Sequence, residues 1–292
     1  MEIAGRPPGA PLGYGLGRSA PAIRLHRSGS VGLFTGIGLP VHSNLAAMFD
    51  LQPWQWVFVM VGALLAGISK TGIAGLGVLT VAIYANVLPA RQSTGIILPM
   101  LVCADIVAVA IYRRHAVWRY LWPLFPWVAG GIIAGYFTLG RIDDAQVRVL
   151  IGGILIGMVM IHFWRKHRAG NEPVPHTLWF AALTGVLAGY TTMLANAAGP
   201  IMVLYMLAIG LPKLEFLGTG AWYFLIINLF KVPFSWHLGL ITPATLQFNA
   251  LLLPAVLAGA LLGRRLVPHI NQTWFEALAL ALTLVAGARL LF

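Results

Sequence analysis

LLAGISKTGIAGLG, residues 64–77, returns as VLAGYTTMLANAAG at residues 186–199. Leu65-Ala66-Gly67 falls on Leu187-Ala188-Gly189, and Gly77 falls on Gly199. Outward from this pair, NVLPARQSTG (86–95) resembles IGLPKLEFLGTG (209–220), and FPWVAGGIIAG (125–135) matches LPAVLAGALLG (253–263). RID at 141–143 then meets HIN at 269–271. The offset drifts only from 122 to 128 residues. Four matches in one order and at one spacing mark an internal duplication.

What is duplicated is membrane material. The 292 residues are 59% hydrophobic and 9% charged, against about 25% charged in soluble domains. A water-soluble fold of this length has no place for so much apolar surface, whereas lipid solvates it. Ten apolar segments follow residue 53, near 54–69, 73–88, 93–112, 120–140, 146–164, 177–191, 197–211, 216–232, 244–262 and 273–291. The expected fold is an all-α polytopic membrane protein of about 8–10 transmembrane helices, with glycine-broken segments at mid-membrane. It divides into repeats at 48–170 and 171–292 with five segments each. An odd number of crossings turns the second copy over, which is the inverted-repeat architecture of secondary transporters.

The net charge of +11 would point to nucleic acid in a soluble chain. Here the arginines gather in short loops between apolar segments, as orientation signals do, so no nucleic-acid partner is expected. With ten crossings, one side collects nine basic residues: Arg113, Arg114, Arg119, Arg165, Lys166, Arg168, Lys213, Arg264 and Arg265. The other collects five: Arg91, Arg141, Arg148, Lys231 and Arg289. The first side is therefore cytoplasmic. Residues 1–47 are rich in glycine and proline with scattered arginines, and read as a disordered tail or as untranslated sequence ahead of Met48. The lone Cys103 excludes an intrachain disulfide and a multi-cysteine metal site. Tryptophans near segment ends, among them Trp54, Trp118, Trp122, Trp179 and Trp236, read as an aromatic belt.

The duplicated stretch is also the candidate site. Glycine-interrupted apolar segments at corresponding places in two halves are the best sequence pointer to a transporter's binding site. GISKTGIAGLG holds four glycines in eleven residues, which permits unwound backbone and close approach of a ligand. A helix restarting after the break offers N-terminal amides to an anion. Lys70 adds a full positive charge, Thr71 a hydroxyl, and Gly72 and Gly75 the open backbone. The second break contributes Thr191, Thr192 and Asn196. The alternative is an ordinary cytoplasmic turn, with Lys70 as one more orientation charge. GALLAGISKT is not a P-loop, because the lysine does not follow the second glycine directly.

Asp105 is the other deep charge, placed to pair with Lys70 or to carry a proton, or to serve as a structural hydrogen-bond partner. Asn228 and Lys231 correspond to it roughly in the second half. No paired carboxylates, metal-spaced histidines or serine–histidine pair lies within the apolar segments, so neither an enzyme nor a cofactor is expected. A channel would need more polar lining than these segments offer.

Three stretches carry a family likeness: LLAGISKTGIAGLG, LPARQSTGIILPMLVCADIVAVAIYRRHAVW and NLFKVPFSWHLGLI. Over about residues 52–292 the chain resembles the TauE/SafE family of sulfite exporter-like transmembrane transporters. The resemblance implies two homologous halves, residence in the cytoplasmic (inner) membrane, and movement of a small sulfur-containing or organic anion. The family's break is often richer in glycine and lacks lysine, so Lys70-Thr71 bears on the substrate. Sequence thus gives the expectation of an anion exporter whose partners are a small anion and the lipid bilayer.

Overall fold

Pro53 fixes the first turn of a helix, and the Gln52 N–H donates to Gln55 Oε1 at 2.8 Å, satisfying one free backbone donor at its start. This helix opens the computed structural model, which describes residues 51–88, 90–139 and 178–291 and isolated positions between 141 and 160. The tail at 1–47, most of the fifth apolar segment and the basic loop at 165–168 lie outside the described residues. The first helix, α1 (Pro53–Thr71), stops at Gly72. Gly75 turns the chain at φ +97°, a conformation that glycine adopts without cost, and α2 (Gly77–Val87) follows. Next come α3 (Ala90–Ile96), α4 (Leu98–Tyr112), the single turn α5 (Trp118–Leu121) and α6 (Phe125–Leu139).

After the undescribed stretch, α7 (Leu178–Ala195) ends at Asn196, whose φ of +52° is the only left-handed non-glycine conformation among the described residues. Asparagine tolerates that region better than most side chains. Then follow α8 (Ala198–Ala208), α9 (Lys213–His237), α10 (Pro243–Leu266) and α11 (Gln272–Leu291). Thr242 and Thr245 cap α10 reciprocally, with Pro243 at its first position. Every regular element among the described residues is helical. Four stretches are long and apolar enough to cross a membrane: Ser93–His115, Leu178–Ala195, Lys213–His237 and Pro243–His269. In contrast, α2 and α8 have 11 residues each. At 1.5 Å per residue that is about 16 Å, roughly half of a hydrocarbon core. Large apolar side chains such as Trp54, Phe58, Trp179 and Leu251 stand exposed, where hydrocarbon would solvate them.

Glycine sets how the long helices cross. Gly67 on α1 lies against the Val256 carbonyl of α10, and Gly259 on α10 lies against the Leu64 carbonyl of α1. The same contact recurs between α6 and α7, where Gly131 meets Val186 and Gly189 meets Val128. Backbone touches backbone at all four places, which is how small residues drive packing where no hydrophobic force acts between helices. Gly259→Leu is therefore expected to destabilise the protein by at least the roughly 1–3 kcal/mol typical of overpacking. Gly130→Leu, where an added Cβ meets nothing within 4 Å, is expected to leave it unchanged. Denaturation midpoints in detergent check the pair, and equal effects would remove the argument.

Two buried apolar clusters organise the bundle. One joins α1, α2, α4 and α10 through Val59, Tyr84, Met100 and Phe248. The larger joins α5 through α9 with α11, through Leu124, Ile132, Met202, Tyr223 and Phe275. Between them, α4 meets α9 along a seam of Ala108 and Val109 against Ala221.

Candidate functional site

A cavity of about 80 Å³ lies where the two clusters face each other. It has room for several waters, each needing about 10–15 Å³ on the same measure. Lys70, Gly75 and Leu101 form part of its wall from the first cluster's helices and break; Thr192, Asn196, Phe224 and Asn228 face them.

Lys70 stands in the last turn of α1, where the helix dipole favours a cation. Its Nζ lies 2.8 Å from Asp105 Oδ1 and 3.8 Å from the centroid of the Phe224 ring. Asp105, on α4, is completely buried. Its second oxygen accepts from Asn228 Nδ2 of α9 at 2.6 Å, tying the two clusters together. Lys231 follows Asn228 by three residues, one turn along the same face of α9. Only 2% exposed, it donates to Asn196 Oδ1 at 2.5 Å, Thr192 Oγ1 at 3.1 Å and Asn228 Oδ1 at 3.5 Å. Asn196 in turn donates to the Thr94 carbonyl at 2.8 Å. The left-handed turn at the second break thus presents one amide to both α3 and α9.

The arrangement has a definite electrostatic sense. Lys70 and Asp105 neutralise each other, while Lys231 is held by uncharged oxygens. Neither α2 nor α8 carries a side-chain cap at its start, and Gly77 and Gly199 of their first turns line the cavity. Both helix dipoles therefore add partial positive charge.

A family model described as Sulfite exporter TauE/SafE matches residues 58–290. The chain belongs to the TauE/SafE family. No match was found among curated proteins or solved structures. The TauE/SafE match spans nearly all the described residues and both clusters, and with the apolar helices it makes this an integral membrane protein of a transporter family.

Within this TauE/SafE protein, the residues singled out in sequence fall into two groups. Lys70, Gly75, Thr192, Asn196 and Asn228 line the cavity; Asp105 and Lys231 stand directly behind them. Thr71, Gly72 and Thr191 do not line it. The Thr71 hydroxyl is 2.7 Å from the Ala260 carbonyl of α10 and 3.1 Å from that of Gly67. Gly72 packs on the backbone of Gly263, and the Thr191 hydroxyl donates back to Leu187 at 2.8 Å within α7. Lys231 also differs from its place in the loop count. It is buried in α9, which runs through Pro233 to His237, so the outer basic set falls to four.

Sequence reasoning did not single out Phe224. The signal was present: Ala221, Phe224, Asn228 and Lys231 recur at the three- and four-residue spacing of one helix face.

Proposed function

We propose that this TauE/SafE protein is a secondary transporter that exports a small sulfur-containing or organic anion across the cytoplasmic membrane by alternating access. The observation that carries this reading is the cavity lined by Lys70, with the Asp105 carboxylate and Lys231 directly behind its wall. Ionisable groups at membrane depth are costly, and they mark ion and substrate paths.

The inverted repeat, 48–170 against 171–292, is part of the proposal. The pair of a long helix and an 11-residue helix, α1 and α2, recurs as α7 and α8, and the turn in each pair reaches the cavity. Gly67 and Gly131 correspond to Gly189 and Gly259, and each pair makes the same kind of crossing. Asp105 and Asn228 correspond at an offset of 123 residues and hydrogen-bond to each other. Such a contact between equivalent residues is expected on a pseudo-two-fold axis. Rocking of one cluster against the other would open the cavity first to one side and then to the other. The membrane potential, negative inside, favours anion exit by about 2.3 kcal/mol per charge per 100 mV.

The test is flux of sulfite, sulfate, thiosulfate, sulfoacetate and acetate in proteoliposomes. Saturable flux of at least one, with counter-flow, is expected. Gly199→Leu gives the structural control: it lines the cavity, and an added Cβ there meets nothing within 4 Å. This variant is expected to fold normally and to lose flux. Undiminished flux would move the path elsewhere, and flux that never saturates would indicate a channel.

A further inference from the structure

We infer that the substrate is an organic anion with an oxyanion head and a hydrocarbon tail of several carbons, taken in preference to an inorganic oxyanion; this rests on the transporter reading above. Polar and apolar side chains divide the cavity wall between them. Lys70, Thr192, Asn196 and Asn228 line it and belong to one bonded chain. Asp105 joins Lys70 to Asn228, and Lys231 joins Asn228 to Thr192 and Asn196. Ser69 and the start of α2 at Gly77 add a hydroxyl and backbone amides beside Lys70.

The wall built by α8 and the first half of α9 is different. Every described residue of α8 that lines the cavity is apolar, and so is every one of α9 before Asn228. Val203, Met206, Phe216 and Leu217 are the large ones, and all four are buried. A Cβ added at Gly220 would lie 3.5 Å from Met206 Cε, so the two helices close on each other here. Along α9, Leu217, Ala221, Phe224 and Asn228 recur at the spacing of one helix face, and all four line the cavity. Leu217 and Asn228 are eleven residues apart, about 16 Å along the helix. The lining thus passes from amide at Asn228 to hydrocarbon at Leu217.

An inorganic oxyanion is hydrated on every side, and burying it demands donors on every side. The side chains of the α8–α9 wall supply none. Water there lacks the polar partners, two to four, that hold a buried water in place. A hydrocarbon tail has no such need and gains from leaving water, while its head keeps Lys70 and the neighbouring amides. One molecule lying along α9, head at Asn228 and tail towards Leu217, meets both requirements.

Methane-, butane- and hexanesulfonate provide the probes, because the head and its single charge stay fixed while the tail grows. Flux is measured in wild-type proteoliposomes, with protein-free vesicles giving the passive background. Half-saturation is expected at about tenfold lower butanesulfonate than methanesulfonate, and lower still for hexanesulfonate. Sulfite and sulfate are expected to need higher concentrations than butanesulfonate. Gly220→Leu places a side chain in the apolar part of the cavity, where an added Cβ meets only Met206, at 3.5 Å. It is expected to fold and to narrow the gap between hexanesulfonate and methanesulfonate to about threefold or less. Met206→Gln, which keeps the side chain's length and adds an amide, is expected to narrow the same gap and serves where Gly220→Leu fails to fold. Half-saturation that stays level or rises along the wild-type series would overturn the inference. So would sulfite or sulfate saturating below butanesulfonate, or an unchanged gap in a folded variant. Absence of saturable flux for every one of these anions would instead overturn the transporter reading.

Discussion

Lys70→Met is expected to cost about 3–5 kcal/mol of stability, and Asp105→Asn in the same chain is expected to restore most of it. The single change leaves a completely buried carboxylate with one hydrogen bond, from Asn228 at 2.6 Å, and no ion-pair partner at 2.8 Å. Removing one member of a buried pair leaves the desolvation penalty of the other uncompensated, whereas removing both does not. The asparagine keeps a side-chain oxygen to accept from Asn228. Denaturation midpoints of wild type, the two single variants and the double variant form a cycle, with a coupling energy of a few kcal/mol expected. Strictly additive effects would show that the pair is not formed in the folded protein. The double variant is also expected to fold without transporting, because the cavity has then lost a cation from its wall.

Lys231→Met is expected to have the opposite profile: stability retained within about 1 kcal/mol or improved, and transport reduced by about a hundredfold or more. Its ammonium is buried without a carboxylate of its own, and such a charge costs free energy that methionine does not. The three oxygens it leaves include the hydroxyl of Thr192, which is free to rotate and donate to a neighbour. The anion, however, loses the positive field that drew it in. The two lysines thus separate into one that secures the fold and lines the site, and one that charges it. Destabilisation by Lys231→Met equal to that by Lys70→Met would contradict this division, as would full flux in a folded variant.

Much of this was legible in the sequence because the duplication indexed it. The offset of 122–128 residues drew attention to residues 67–77 and 189–200, and it aligned Asp105 roughly with the stretch that holds Asn228 and Lys231. What sequence could not supply was helical phase at the breaks. Lys70 and Thr71 are consecutive, as are Thr191 and Thr192, and neighbours on a helix point about 100° apart. Only one of each pair reaches the cavity, and which one depends on α1 staying helical through Thr71 and α7 through Ala195. Lys231 illustrates the same limit. Pro233 looks like a stop, yet α9 continues past it, which turns an apparent loop lysine into a buried one. Proline is tolerated in membrane helices where neighbouring groups satisfy the freed carbonyl.

The crossing of α1 with α10 bears on how the protein is made. The Thr71 hydroxyl is bonded to the carbonyl of Ala260, 189 residues further along the chain. At about 5–20 residues per second, a ribosome adds those residues in about 10–40 s. Throughout that interval α1 is already synthesised while its glycine face, at Gly67 and Gly72, lacks the helix that covers it. Insertion machinery or lipid must shelter α1 until α10 emerges. Final packing of α1 therefore waits on the synthesis of a further 189 residues.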